Sequence, residues 1–226
     1  MKSLLGKIRT RLFAGLAKKQ DIETLYGQLN GLIQIQNAIQ GKPVLRPLRG
    51  WAISPDALSW VLADLQERKQ PTVIEFGSGQ STVILAAVLK HRGGRLVSVE
   101  HDPVYSSVIQ RQVAACGLSD YVETVHAPLI EIGDSSTKSY DTSKISHIEV
   151  DLALIDGPPI ILGGAHTRLT PLRWSAAHLV PNGAIFLDDS NRASEQGCIE
   201  SLIREYPKLT VLPRAAEKGL VEIRNK

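Results

Sequence analysis

After Pro71 the chain alternates short apolar runs with helical stretches, and this alternation limits the possible folds more than any other feature of the sequence. Residues 73–74, 96–99, 121–125, 150–155 and 184–187 read as strands, with helices near 81–91, 103–116, 168–179 and 192–206 between or after them. Strands joined through helices must cross over, which gives a mostly parallel sheet covered on both faces. Two last strands, near 208–212 and 219–223, are joined by only a short loop containing Glu217-Lys218-Gly219, so they must pair antiparallel. The expected fold is α/β: a doubly wound, mostly parallel seven-stranded sheet with helices on both faces.

Residues 1–20 carry Lys2, Lys7, Arg9, Arg11, Lys18 and Lys19 with no acid, and Leu4, Leu5, Ile8, Leu12 and Leu16 recur at helical spacing. That is a basic amphipathic helix, suited to packing on its own domain, to an acidic partner or to peripheral contact with an anionic membrane. A second helical stretch, 21–40, stops at Gly41-Lys42-Pro43, and Ser54-Pro55-Asp56 opens the next helix with a capping hydroxyl, a proline and a carboxylate. Residues 1–50 are therefore read as an N-terminal helical extension and 51–226 as the main domain.

The longest uninterrupted apolar run is Val83 to Leu89, far below the roughly 20 residues of a membrane-spanning helix. Lys7, Arg9 and Arg11 interrupt anything resembling a secretory signal, so a cytoplasmic location is expected. Cys116 and Cys198 stand apart without a zinc pattern and read as reduced thiols. A net charge of +3 is too small for a nucleic-acid binder. The Ser-rich patch 135–146 reads as a mobile surface loop.

Val73-Ile74-Glu75-Phe76-Gly77-Ser78-Gly79-Gln80-Ser81-Thr82 runs from a strand through a glycine turn into a helix. Glycines there let a ligand approach the backbone, and Glu100, at the end of the second strand, lies at the interval that places a carboxylate on a ribose. Glu75 would repel the pyrophosphate of a dinucleotide, Thr82 stands where that fingerprint has its third glycine, and no Gly-Lys-Ser/Thr closes a P-loop. A cofactor with an ammonium and a sulfonium turns Glu75 into an asset.

These residues resemble the class I S-adenosylmethionine-dependent methyltransferases, from about residue 54 to the end. Glu75-Phe76-Gly77-Ser78-Gly79 matches the family's acidic-x-Gly-x-Gly motif, with Ser81 at its frequent third glycine. The resemblance implies a cofactor site of Glu75, Gly77, Ser78, Gly79, Ser81, Thr82, Glu100, His101, Ala127 and Asp156, with Glu100 on the ribose and 126–129 near adenine. It also implies the strand order 3-2-1-4-5-7-6 with the last strand antiparallel. The Asp156-Gly157-Pro158-Pro159 motif lacks the aromatic residue by which the family's base-modifying members stack on a nucleobase.

Asp156, Asp188 and Asp189 end the fourth and fifth strands, and three carboxylates at one crevice suit a hard cation such as magnesium. The pattern is similar to the metal-dependent O-methyltransferases of the catechol and macrocin types. No lysine lies in either motif and Arg192 is the nearest cation in sequence, while Arg168 and Arg173 read as a solvated helix face. The expected function is O-methylation of a small molecule or sugar, with Asp156 acting on the acceptor and His166 as a second candidate base. An aminopropyltransferase resembling spermidine synthase and a non-enzymatic cofactor-binding partner protein are the other readings.

Overall fold

The computed structural model of the chain describes residues 4–39, 45–48, 50–133 and 136–225, with residues 4–18 described as backbone alone. The elements, in chain order, are α1 (Leu4–Ala38), α2 (Pro55–Gln66), β1 (Thr72–Phe76), α3 (Gln80–Arg92), β2 (Arg95–Glu100), α4 (Pro103–Ala115), β3 (Val122–His126), β4 (Leu129–Glu131) and β5 (Lys138–Tyr140). They continue with β6 (Val150–Ile155), α5 (Ile160–Gly163), α6 (Leu169–His178), β7 (Leu179–Asp188), α7 (Ala193–Glu205), β8 (Thr210–Arg214) and β9 (Leu220–Arg224).

The main sheet has seven strands in the order β3-β2-β1-β6-β7-β9-β8, with β4 and β5 forming a separate pair. Counting main-sheet strands alone, that order is 3-2-1-4-5-7-6, as the resemblance implied. β9 runs antiparallel to both its neighbours. The order reverses between β1 and β6, where such sheets open a crevice at the carboxyl ends of their strands.

Alternate residues of each strand feed opposite cores. Val73, Leu96, Leu152, Leu154 and Phe186 pack with α2 and α3 on one face. Ile74, Val97, Ala153, Ile155, Ile185 and Leu187 pack on the other with Leu172, Cys198 and Leu202 of α6 and α7. Truncating a buried leucine such as Leu154 to alanine costs about 2–5 kcal/mol in a core of this kind.

Several expectations change in detail. α1 is one helix across the two stretches read from sequence, while the stop at 41–43 and the side chains of its basic end lie outside the described residues. Ser54 caps α2 by backbone geometry only, its hydroxyl making no capping bond. Instead Asp56 accepts from Ala57 N at 2.8 Å and from Glu217 N at 2.7 Å.

The largest correction concerns the patch read as a mobile loop. Residues 138–140 form β5 in register with β4, and Ser139 and Tyr140 are buried. Tyr140 packs on Phe76 with ring centroids 5.7 Å apart, so a serine-rich sequence hides an aromatic anchor. Both cysteines are free thiols, Cys198 in the core.

Candidate active site

β1 ends at Phe76 in the core, and the turn after it begins at Gly77, whose φ of +103° is one a side chain rarely adopts. A Cβ on Gly77 would also lie 3.0 Å from Gly157 N, because the turns after β1 and β6 press together there. Gly79 differs: its nearest neighbour to an added Cβ would be Ser81 Oγ at 3.8 Å. The protein itself leaves room for a side chain at Gly79, and that room belongs to the cavity.

Glu100 ends β2 with only 3% of its surface exposed. Its Oε1 accepts from the backbone of His101 at 2.7 Å and of Asp102 at 2.9 Å, and its Oε2 from Ser78 N at 3.1 Å. A carboxylate has about four lone-pair positions, so Glu100 retains acceptor capacity toward the cavity. This cavity, about 490 Å³, is walled by Gly77, Ser78, Gly79, Ser81, Glu100 and His101, with Tyr105 and Tyr140 opposite. That size falls within the range of small-molecule sites.

Two residues expected in the wall lie beneath it. Glu75 is fully buried and accepts from Thr82 Oγ1 at 2.5 Å and Ser98 Oγ at 2.9 Å, while Thr82 Oγ1 also accepts from Gly79 N at 2.9 Å. Burial drives the Glu75 carboxyl up to about 7 against the pull of its hydroxyl partners Ser81, Thr82 and Ser98. Glu75 and Thr82 therefore hold the glycine turn from below. Ala127, also fully buried, ties its N–H to Glu100 O at 2.9 Å and belongs to the core beside the site.

Tyr140, supplied by the unforeseen β5, enters the floor of the cavity. A Cβ on Gly157 would stand 2.3 Å from its Oη, so glycine at 157 makes room for this hydroxyl. Tyr140 Oη is buried without a hydrogen-bond partner. Burial, reinforced by the charge of Glu100, raises its pKa well above that of ordinary tyrosine, so it is a donor.

A second cavity of about 510 Å³ adjoins the first and shares Trp51, Asp156 and Pro159 with it. Ile160 and Ile161 add an apolar wall, and Arg168, Asp189, Arg192 and Lys218 a charged one. Trp174 stacks on His178 at 4.0 Å and Trp60 lies under Arg214 at 4.8 Å, whereas Trp51 is largely exposed at the junction of the two cavities.

Asp156, Asp188 and Asp189 converge as expected, with one carboxylate oxygen of each within 4.8 Å of the others. The charges around them were misjudged. Arg168, read as solvated, is 3% exposed and donates to Asp156 O at 2.6 Å, Asp188 O at 2.9 Å and Asp189 Oδ2 at 3.0 Å. Lys218 Nζ lies 3.3 Å from Asp188 Oδ2, and Arg192 lies 2.8 Å from Asp189 Oδ2. These groups compensate the acids without a metal. Asp189 Oδ1 is buried with Lys218 Nζ no closer than 3.7 Å, and Lys218 is the charged partner nearest the carboxylate of Asp188.

Burial raises the carboxyls of Asp156 and Asp188 above the usual range; Asp188 adds to the rise at Asp156, and Arg168 and Lys218 oppose it. His166 does not reach either cavity. Its backbone has a φ of +61°, and its ring lies on α7, where a Cβ on Gly197 would be 2.2 Å from Cε1. The placement of Lys218 follows from topology: β9 pairs with β7, so the loop before Leu220 meets the end of β7 at Asp188.

The profile of a methyltransferase-domain family matches residues 74–190, just over half of the chain. The chain belongs to that family. This methyltransferase is 28% identical over 129 residues to a catechol O-methyltransferase of Bos taurus, covering 52% of this chain and 47% of that one. It is 30% identical over 169 residues to a transmembrane O-methyltransferase of Propithecus coquereli, covering 69% of this chain and 57% of that one. The chain spans about half the length of the curated relatives it matches.

Among solved structures, an SAH-bound methyltransferase of Podospora anserina superposes with a TM-score of 0.62 at 18% identity, covering 92% of this chain and 96% of that one. At that identity the likeness speaks for the fold. Among the described residues no helix of this methyltransferase is long and apolar enough to cross a membrane.

Proposed function

We propose that this chain transfers the methyl group of S-adenosylmethionine to a hydroxyl oxygen of a small molecule with a flat apolar body. The observation that carries this reading is the meeting of two cavities at Asp156, one under Gly79 and Glu100 and one between Trp51 and Ile160. Cofactor and acceptor can thus lie end to end, as in-line displacement at the sulfonium requires. Glu100 takes the ribose hydroxyls, and Tyr140 Oη donates to the bound cofactor.

Asp156 faces the acceptor, and its raised pKa brings it closer to what a general base needs near neutrality. It receives the hydroxyl proton as oxygen attacks the methyl carbon and the carbon–sulfur bond breaks. Arg168 holds the backbone after β6 and β7 so that Asp156 and Asp189 keep their positions. The convergence of one carboxylate oxygen from each of Asp156, Asp188 and Asp189 fits a divalent cation, which these three residues would hold in exchange for contacts to Lys218. Such a cation supplies polarisation of the acceptor oxygen.

The test supplies labelled S-adenosylmethionine with a panel of aromatic and aliphatic hydroxyl compounds, with chelator and with added magnesium. Label transferred to a hydroxyl, and lost in Asp156→Asn, supports the reading. Cofactor binding without transfer to any acceptor counts against it. Full turnover under chelator removes the cation.

A further inference from the structure

Gly31 seats the C-terminal half of α1 on the body: a Cβ there would lie 2.4 Å from the carbonyl of Pro55. Gln28 bonds Glu217 at 2.8 Å, and Ile35, Ala38 and Ile39 enter the core. The side turned away from the body carries Ile22, Leu25, Tyr26, Leu29, Leu32 and Ile33, from 45% exposed at Leu32 to 73% at Tyr26. A contiguous apolar stripe of this kind is of the sort that marks an interaction surface.

We propose that this stripe is an interface between two copies of the chain, paired antiparallel about a two-fold axis near Gly27. Ile22, Leu25, Leu29 and Leu32 follow the three-four spacing by which one helix packs against another. The set is self-complementary, as a two-fold interface must be. Antiparallel pairing sets Ile22 against Leu32 and Leu25 against Leu29, each pair symmetric about position 27.

Charge selects this direction and this occupant. A parallel pair would bring Lys18, Lys19, Asp21 and Glu23 each against its own copy, whereas the antiparallel pair sets 18–23 against 31–36, which hold no charge. The segment that carries the stripe, 20–39, contains no lysine or arginine to flank it on an anionic surface, the basic residues of α1 lying before it at 7–19. Taking about 100 Å² for a large aliphatic side chain, the half-exposed stripe offers roughly 400 Å² per copy. With its polar flanks it approaches the ~600 Å² per partner at the lower end of stable interfaces.

Sedimentation of the full chain across micromolar concentrations tests this. We expect a dimer that Leu25→Glu/Leu29→Glu converts to monomer, its self-association weakened on the order of 100-fold, with SAH binding and a folded monomer retained because neither leucine packs into the body of its own chain. A mixture of Leu25→Cys and Leu29→Cys variants should cross-link between variants, and Leu25→Cys alone should not. A monomeric wild type overturns the proposal, as does undiminished association of the double glutamate variant. Capture of a monomer by phosphatidylglycerol vesicles, lost in that variant, assigns the stripe to a membrane surface and overturns it equally.

Discussion

The two halves of the crevice hold buried acids by opposite means. On the side we assign to the cofactor, Glu75 has, among the described residues, only hydroxyls and no cation within hydrogen-bond reach, and Glu100 is held chiefly by backbone N–H groups. On the acceptor side Asp156, Asp188 and Asp189 are bracketed by Arg168, Arg192 and Lys218. The first half is a hydrogen-bonded cradle, which on our proposal takes the cofactor. The second is a compensated ionic cluster, in which removing one member leaves the others exposed to one another.

The acceptor side should therefore be the more fragile. Arg168→Met leaves buried carboxylates without their central cation, and breaking a buried pair in this way costs about 3–5 kcal/mol. Urea unfolding measures the loss, and SAH affinity of the folded fraction should stay within about fivefold, the equivalent of about 1 kcal/mol. A large loss of affinity with little loss of stability would erase the distinction between the halves.

Glu75 gives the cofactor side a pH signature of its own. Its folded pKa of about 7 lies above the ordinary carboxyl value of 4.5, so the native state binds more protons than the unfolded state between those values. Stability from this group falls as pH rises through that window and is constant above it. Relative to Glu75→Gln, the wild type should lose up to about 3 kcal/mol between pH 4.5 and 7, read from paired melting curves. A difference that does not change with pH would place a cation near Glu75 after all.

The smallest effect belongs to Tyr140. An orphaned buried hydroxyl costs about 1–3 kcal/mol, so Tyr140→Phe should stabilise the free protein by about 1 kcal/mol while weakening SAH binding about tenfold. A variant that loses stability and keeps its affinity would show that the hydroxyl serves the fold and not the ligand.

The same contrast explains what could be read from sequence. Glu75, Gly77, Gly79 and Glu100 lie within 26 residues along two adjacent strands, so one motif and one interval located them. The acceptor cluster is assembled from 156, 168, 188–189 and 218, and its cations come from a helix start and a hairpin that only the sheet order brings together. Local composition misled in both directions: Arg168 looked solvated and is buried, and the serines around Tyr140 concealed an anchor of the cavity floor. His166, in the loop between α5 and α6, has a positive φ and its ring lies against α7, away from both cavities.

The central claim is that the space under Gly79 and beside Glu100 receives the adenosyl cofactor, and calorimetric titration with S-adenosylhomocysteine tests it most directly. The account predicts one site per chain. Affinity should fall about 10- to 150-fold in Glu100→Ala, where charge-assisted hydrogen bonds worth about 1.5–3 kcal/mol are lost. In Gly79→Val binding should vanish while the melting temperature holds, since the protein leaves that Cβ free of contacts closer than 3.8 Å. Unchanged affinity in either folded variant, or no binding by the wild type, would contradict it.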